Sequence, residues 1–170
     1  MHPSEIEQAL KSFEILVDTR EQPTKSYYRR LKSMAVPLHR QKLDFGDYSA
    51  RVTLADDSFY SLNDKVCVER KMNLDEICAC FTKQRPRFIR EFERAKEAGA
   101  RIYLLIENAD YEKAYSGDYR SQMKPNALTA SLLAFQARYD CRIVFCPAQM
   151  SGRIIKDILY REMKERLTEL

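Results

Sequence analysis

The stretch KVCVERKMNLD, residues 65–75, drives an apolar run, Val66-Cys67-Val68, directly into Glu69, Arg70 and Lys71, and places Asp75 four residues after the lysine. Side chains two apart on a strand leave the same face, so Glu69 and Lys71 emerge side by side. An opposite-charge pair at a strand end is either a solvated rim contact, which contributes little, or part of a site. The rest of the chain bears on that choice.

Upstream, EILVD (14–18) is a short apolar run with acid ends, which predicts a buried strand, followed by a loop at TREQPT. KSYYRRLKSM (25–34) predicts a helix that buries Tyr27, Tyr28 and Leu31 and stops before Val36-Pro37, because the residue before a proline avoids helical angles. Residues 37–71 then read as successive strands of an antiparallel meander, with turns near Gly46, at Asp56-Asp57-Ser58 and at Asn63-Asp64.

Downstream the period changes. Asn73 is placed to cap a helix with Glu76 in capping-box position and Leu74, Ile77, Cys78 and Phe81 as its apolar stripe. Pro86 suits the first turn of a second helix, with Phe88, Ile89, Phe92 and Ala95 inward and Gly99 as its stop. RIYLLIE (101–107) and CRIVFC (141–146) predict buried strands on either side of a helix over 126–139. A final helix over about 150–169 carries Ile154, Ile155, Ile158, Leu159 and Met163, a stripe that either closes the core or pairs two copies of the chain. Only 111–125 reads as a long exposed loop, whose tyrosines at 111, 115 and 119 either pack locally or stack on bases. The fold class is α/β, an antiparallel meander feeding a parallel part.

Composition sets the frame. At 170 residues, 45% hydrophobic and 32% charged, the chain suits one domain with a real core. It has no run of eighteen apolar residues and no basic-then-apolar leader at its N-terminus, so no membrane partner and a cytoplasmic or nuclear location are expected. Five cysteines at 67, 78, 80, 141 and 146 lack paired CxxC spacing, and with only two histidines they read as reduced core residues rather than a zinc site. The net charge of +4 is modest, but YYRRLK (27–32), HRQK (39–42) and KQRPRFIRE (83–91) gather cations in the first half. These are either solvated helix faces or a surface that holds a polyanion.

Asp18, Asp47 and Glu69 sit at predicted strand ends and Asp75 at a helix start. Magnesium takes a few carboxylates and several waters, so two or three converging acids suffice for one ion. A lysine beside them can orient or deprotonate water, or offset charge on a phosphate.

Taken together, LVDTRE (16–21), GDY (46–48), VERK (68–71) and Asp75 resemble the nuclease domain of the XPF family, whose signature is GD, a variable gap, then ERK-x-x-x-D. The resemblance is strongest between 43 and 82 and extends over about 14–160, leaving 1–13 as an N-terminal extension of a single nuclease domain, 1–170. It implies a restriction-endonuclease-like, PD-(D/E)xK fold with a mixed central sheet flanked by helices. It also implies a Mg2+- or Mn2+-dependent DNA endonuclease acting on branched, flap or fork DNA. On that resemblance Asp18, Asp47 and Glu69 are metal ligands or their supports, Lys71 orients water or stabilises charge, and Arg70 is a phosphate or structural contact. Asp75 is then a supporting acid, and Arg20 with Glu21 matches the family's D-x-R-E stretch. Lys83, Arg85, Arg87 and Arg90 are expected to bind DNA phosphates. The chain shows no tandem helix-hairpin-helix module, so substrate selection falls to a homodimer or to a partner bearing that module. The other reading is a catalytically idle DNA-binding or dimerisation module of the same fold; retention of Asp47, Glu69 and Lys71 together favours the enzyme.

Overall fold

The computed structural model describes residues 1–170. In chain order its elements begin α1 (Pro3–Leu10), β1 (Glu14–Asp18), α2 (Lys25–Met34), β2 (Leu38–Gln41), β3 (Tyr48–Thr53), β4 (Phe59–Ser61) and β5 (Val66–Lys71). They continue α3 (Leu74–Phe81), α4 (Arg85–Glu97), β6 (Arg101–Glu107), α5 (Tyr111–Ser116), α6 (Pro125–Tyr139), β7 (Arg142–Cys146) and α7 (Ser151–Glu169). The chain divides into two compact units, Met1–Cys67 with Gly152–Leu170, and Val68–Ser151. The architecture is a mixed sheet of parallel and antiparallel strands flanked by helices.

In the first unit the strand order is β2-β1-β3-β5, with β4 also on β3. β1 pairs antiparallel with β3, Val17 opposite Tyr48, and β3 pairs antiparallel with β4, as a meander requires. β2 departs from the expected meander: it lies parallel to β1, Ile15 opposite Leu38. The cause is α2, because a helix between two strands is a crossover that brings the second back in the same direction. α2 is capped by the Thr24 hydroxyl, which accepts from the Tyr27 N–H, and buries Tyr27, Arg30 and Met34. Tyr28, expected inside, is 60% exposed. One residue past Tyr27 on a 3.6-residue period, it turns away from the face that 27, 30 and 34 share.

α7 completes this unit. Ile155, Leu159, Met163 and Leu167 are fully buried, and Tyr160 packs edge-on against Phe13 with centroids 5.3 Å apart. Of the stripe read as core or pairing surface, Ile155, Leu159 and Met163 are core, while Ile154 and Ile158 are half-buried. Gly152, at the helix start, presses on α2: a Cβ there would lie 2.2 Å from the Arg30 carbonyl oxygen.

The second unit begins inside β5 and has the order β5-β6-β7. β6 and β7 are parallel, Tyr103 opposite Arg142 through Glu107 opposite Cys146. Phe81, Phe88, Phe92, Phe135 and Tyr139 form an aromatic core, neighbouring ring centroids lying 4.9–5.8 Å apart, which suits edge-to-face and offset packing. Ile89, expected inward with them, is half-buried. β6 is buried nearly throughout, but β7, expected buried on both faces, is half-exposed from Ile143 to Phe145. β7 ends the strand order and has one neighbour. Within the expected loop 111–125, residues 111–116 form α5: the Asp110 carboxylate accepts from the Lys113 N–H at its start, and Gly117, at φ 78°, closes it. All five cysteines are free and buried, and no helix is long and apolar enough to cross a membrane.

Candidate active site

In the first unit, the β1–β3 register brings the two acids of the GD and D-x-R-E stretches together, the Asp18 N–H donating to the Asp47 carbonyl at 2.9 Å. Gly46 enters this corner at φ 73°, a left-handed conformation suited to a residue without a Cβ. The Asp18 side chain is 1% exposed, and both its oxygens are engaged. Oδ1 accepts from the Arg20 N–H (2.8 Å) and Nε (2.7 Å), Oδ2 from Arg20 Nη2 (2.9 Å) and the Leu43 N–H (2.8 Å). Burial alone raises the Asp18 pKa, but the bonds from Arg20 and the Leu43 amide outweigh it and hold the carboxyl below its usual range. Four donors on two oxygens fit a support that ties the 43–47 corner to β1. Asp47 itself is half-buried.

Beside this corner lies a network that sequence reasoning did not assign. Arg30 Nε donates to the Tyr48 hydroxyl (2.8 Å), which donates to Glu21 Oε2 (2.6 Å), and Arg30 Nη2 reaches the same oxygen at 3.2 Å. Burial first, then the Glu21 charge, pushes the Tyr48 pKa upward. Glu21 thus anchors α2 to β3, and the only signal for it was its match to D-x-R-E.

In the second unit, the three charged residues of VERK separate by strand alternation. Arg70 clamps Glu107 with two parallel bonds, Nε to Oε1 at 2.6 Å and Nη2 to Oε2 at 2.9 Å. Glu107 is 2% exposed, so of the two roles open to Arg70 the geometry displays the structural one. The acid ending RIYLLIE was its signal. Glu69 and Lys71 meet on the other face, Nζ to Oε1 at 2.6 Å, and line a cavity of about 110 Å³ with Cys80, Gln84, Arg87, Phe88 and Glu91. Lys71 Nζ lies 5.5 Å from the Phe88 ring centroid, a cation–π distance. Burial pushes the Cys80 thiol up to about 11, with Lys71 opposing and Glu69 reinforcing the shift.

The cavity's donors, two carboxylates and an amide, are hard oxygen ligands of the kind magnesium and manganese accept. No three His, Cys, Asp or Glu side chains form a closed metal cage, and a site of one or two carboxylates completed by water is the arrangement magnesium usually takes.

Asp75 faces elsewhere: its Oδ1 accepts from the backbone N–H groups of Arg120 (2.8 Å) and Ser121 (2.7 Å). It pins the loop between α5 and α6 to the start of α3. Asn73 caps α3 by accepting from the Glu76 N–H, and the Glu76 carboxylate accepts from the Met72 N–H.

These features lie within one matched region. Residues 17–158 match the ERCC4 domain. The chain belongs to the ERCC4 domain family. Among solved structures it is similar to XPF from Aeropyrum pernix, at 21% identity and a TM-score of 0.61, over 88% of this chain and 61% of that one. It is also similar to XPF from the same organism in complex with DNA, at 21% identity and a TM-score of 0.60, over 90% and 66%. The structural likeness shows a shared fold, the restriction-endonuclease-like one, and the chain spans under two thirds of either relative. No curated protein matches it by sequence.

The cations assigned to DNA in this ERCC4 domain are not equivalent. Arg87 lines the Glu69–Lys71 cavity, Arg85 is half-buried with Nη1 3.3 Å from the Phe81 carbonyl oxygen, and Lys83 and Arg90 are exposed. Of the loop tyrosines, Tyr111 packs on Phe145 with centroids 4.9 Å apart and Tyr119 donates to the Met123 carbonyl at 2.7 Å; Tyr115 stays exposed.

Proposed function

We propose that this ERCC4 domain is a metal-dependent DNA endonuclease that hydrolyses phosphodiester bonds at branched, flap or fork DNA, using Mg2+ or Mn2+. The observation that supports this most directly is the Glu69–Lys71 pair at the end of β5, lining a small polar cavity with Arg87. Glu69 is the acid of this cavity assigned to the ion, and Asp47 keeps the assignment that the family resemblance gives it. A bound divalent ion in such a site lowers the pKa of water and offsets charge on a phosphate. Lys71, held by Glu69 and the Phe88 ring, positions the attacking water or neutralises charge developing on the cleaved phosphate. Arg87 anchors that phosphate from α4, while Lys83, Arg85 and Arg90 hold flanking phosphates. Asp18, Arg20, Arg70 and Asp75 act through others, keeping the 43–47 corner, the β5–β6 pairing and the 117–124 loop in place. A homodimer or a partner carrying a helix-hairpin-helix module adds to the preference for branches.

The test is cleavage of labelled duplex, splayed, flap and four-way substrates, with and without magnesium, by the wild type and Lys71→Ala. Magnesium-dependent cutting that Lys71→Ala abolishes supports the assignment. Binding without cutting under every metal tried returns the chain to the idle DNA-binding module.

A further inference from the structure

Two of the basic runs in the sequence, YYRRLK and HRQK, contribute only Arg30 to the networks described above. They fall within a longer tract: from Gln22 to Leu43 the chain contains Lys25, Arg29, Arg30, Lys32, Arg40 and Lys42 and no aspartate or glutamate. α4, by contrast, interleaves its arginines with Glu91, Glu93 and Glu97. Burial sorts the tract further. Arg30 turns inward to Tyr48 and Glu21, whereas Lys25, Arg29, Lys32 and Lys42 are exposed and make no ion pair. Lys25, Tyr28, Arg29 and Lys32 follow the i, i+3, i+4, i+7 spacing of a single helix face. Tyr28 stands in that stripe 60% exposed, its ring edge-on to Tyr27 with centroids 5.2 Å apart. Arg40, on edge strand β2, lies over Tyr27 at 5.8 Å from its centroid, which joins the strand's cations to the helix's.

An exposed aromatic flanked by unpaired cations is the combination that single-stranded nucleic acid requires, a π-face for a base and charges for the phosphates on either side. The rise from Lys25 to Lys32 is about 10 Å, long enough to meet successive phosphates along one strand. We propose that the outer face of α2 with the edge strand β2 is a binding track for a single-stranded arm of the DNA, with Tyr28 stacking on an unpaired base and Lys25, Arg29, Lys32 and Lys42 neutralising phosphates. The proposal takes its ligand from the DNA-cleaving reading. It supplies that reading with a source of preference for splayed and flapped ends inside this chain.

The test is fluorescence anisotropy of a labelled oligothymidylate and of a blunt duplex of equal length, across a salt series without divalent metal. The full chain is used in a Lys71→Ala background, so the result does not depend on cleavage. Lys25→Ala, Arg29→Ala and Lys32→Ala together are expected to flatten the salt dependence of oligothymidylate binding by about two log units per log unit of salt. Tyr28→Ala is expected to weaken that binding about fivefold or more without altering the slope, and Tyr28→Phe to preserve it. Because all four side chains are exposed, the fold is not at stake. An unchanged slope in the triple variant overturns the proposal. So does equal loss from Tyr28→Ala and Tyr28→Phe, or competition by polyglutamate as effective as by oligothymidylate, which would mark a docking site for an acidic protein. Failure of any of these leaves the cleavage assignment standing, since that rests on magnesium-dependent cutting alone.

Discussion

Asp18-x-Arg20 and Glu69-x-Lys71 are built alike, an acid at or near a strand end with a cation two residues on, yet they sit in opposite surroundings. Around Asp18, four donors fill both oxygens, and the side chain holds a loop in place. Around Glu69, the cation faces a cavity shared with Arg87 and Glu91. The difference lies in the chain beyond each pair: the Leu43 amide returns to close over Asp18, while α3 and α4 leave room beside Lys71. Of the two pairs, only Glu69–Lys71 has space beside it for a third party.

The largest expected effect breaks this contrast from the reactive side. Lys71→Ala should lower single-turnover cleavage by about a thousandfold or more, with DNA affinity changed only a few-fold, because it removes stabilisation used at the reacting phosphate. Asp47→Asn should do the same. Near wild-type cutting by both variants would end the site assignment.

Arg70→Ala should instead show itself in stability. Removing it leaves the buried Glu107 carboxylate without its bidentate partner, at a cost of about 3 kcal/mol in urea unfolding. A variant of undiminished stability that binds DNA poorly would mean Arg70 contacts phosphate after all.

Asp18→Asn is expected to cost on the order of 2 kcal/mol through its weakened charged hydrogen bonds. Its pH signature has a definite sign. The folded pKa lies below the unfolded one, so the carboxylate's contribution is fully present above about pH 4 and is lost as pH falls through the folded value. Urea midpoints between pH 2 and 6 should therefore fall less steeply on acidification in Asp18→Asn than in the wild type.

The smallest effects separate members of α4. Arg87→Ala should slow cleavage on the order of tenfold at saturating DNA, since it lines the cavity. Arg90→Ala should leave that rate alone and reduce the salt slope of duplex binding by about 0.9. Equal behaviour of the two would show that lining the cavity carries no chemical meaning.

Sequence pattern located the ERK strand, the capped α3, the cysteines' core role and the mixed sheet, because each rests on local periodicity or on a dense run of chemical signals. It placed β2 in a meander because four residues, mostly polar, say nothing about direction; α2 decides that through space. It put Tyr28 inside because a tyrosine reads as apolar, whereas Arg30 took the inward position by meeting Tyr48 and Glu21. Partners such as Glu107 for Arg70, or the Arg120 and Ser121 amides for Asp75, lie 37 to 46 residues away, and the sequence shows Glu107 only as the acid ending RIYLLIE, without saying which cation it meets. The acids of the candidate site are visible in the sequence as types and spacing; which of them face a cavity is not.

The first unit is discontinuous in sequence, and this matters while the chain is being made. Residues 68–151 emerge as one uninterrupted stretch, whereas the unit begun by Met1–Cys67 is completed only by Gly152–Leu170. Until then the apolar surface that Ile155, Leu159, Met163 and Leu167 cover is bare. Because Gly152 must settle against the Arg30 carbonyl with no room for a side chain, the late-arriving segment docks in one seating only. A nascent chain released before that point, or carrying a side chain at 152, is expected to be a substrate for chaperones and proteases.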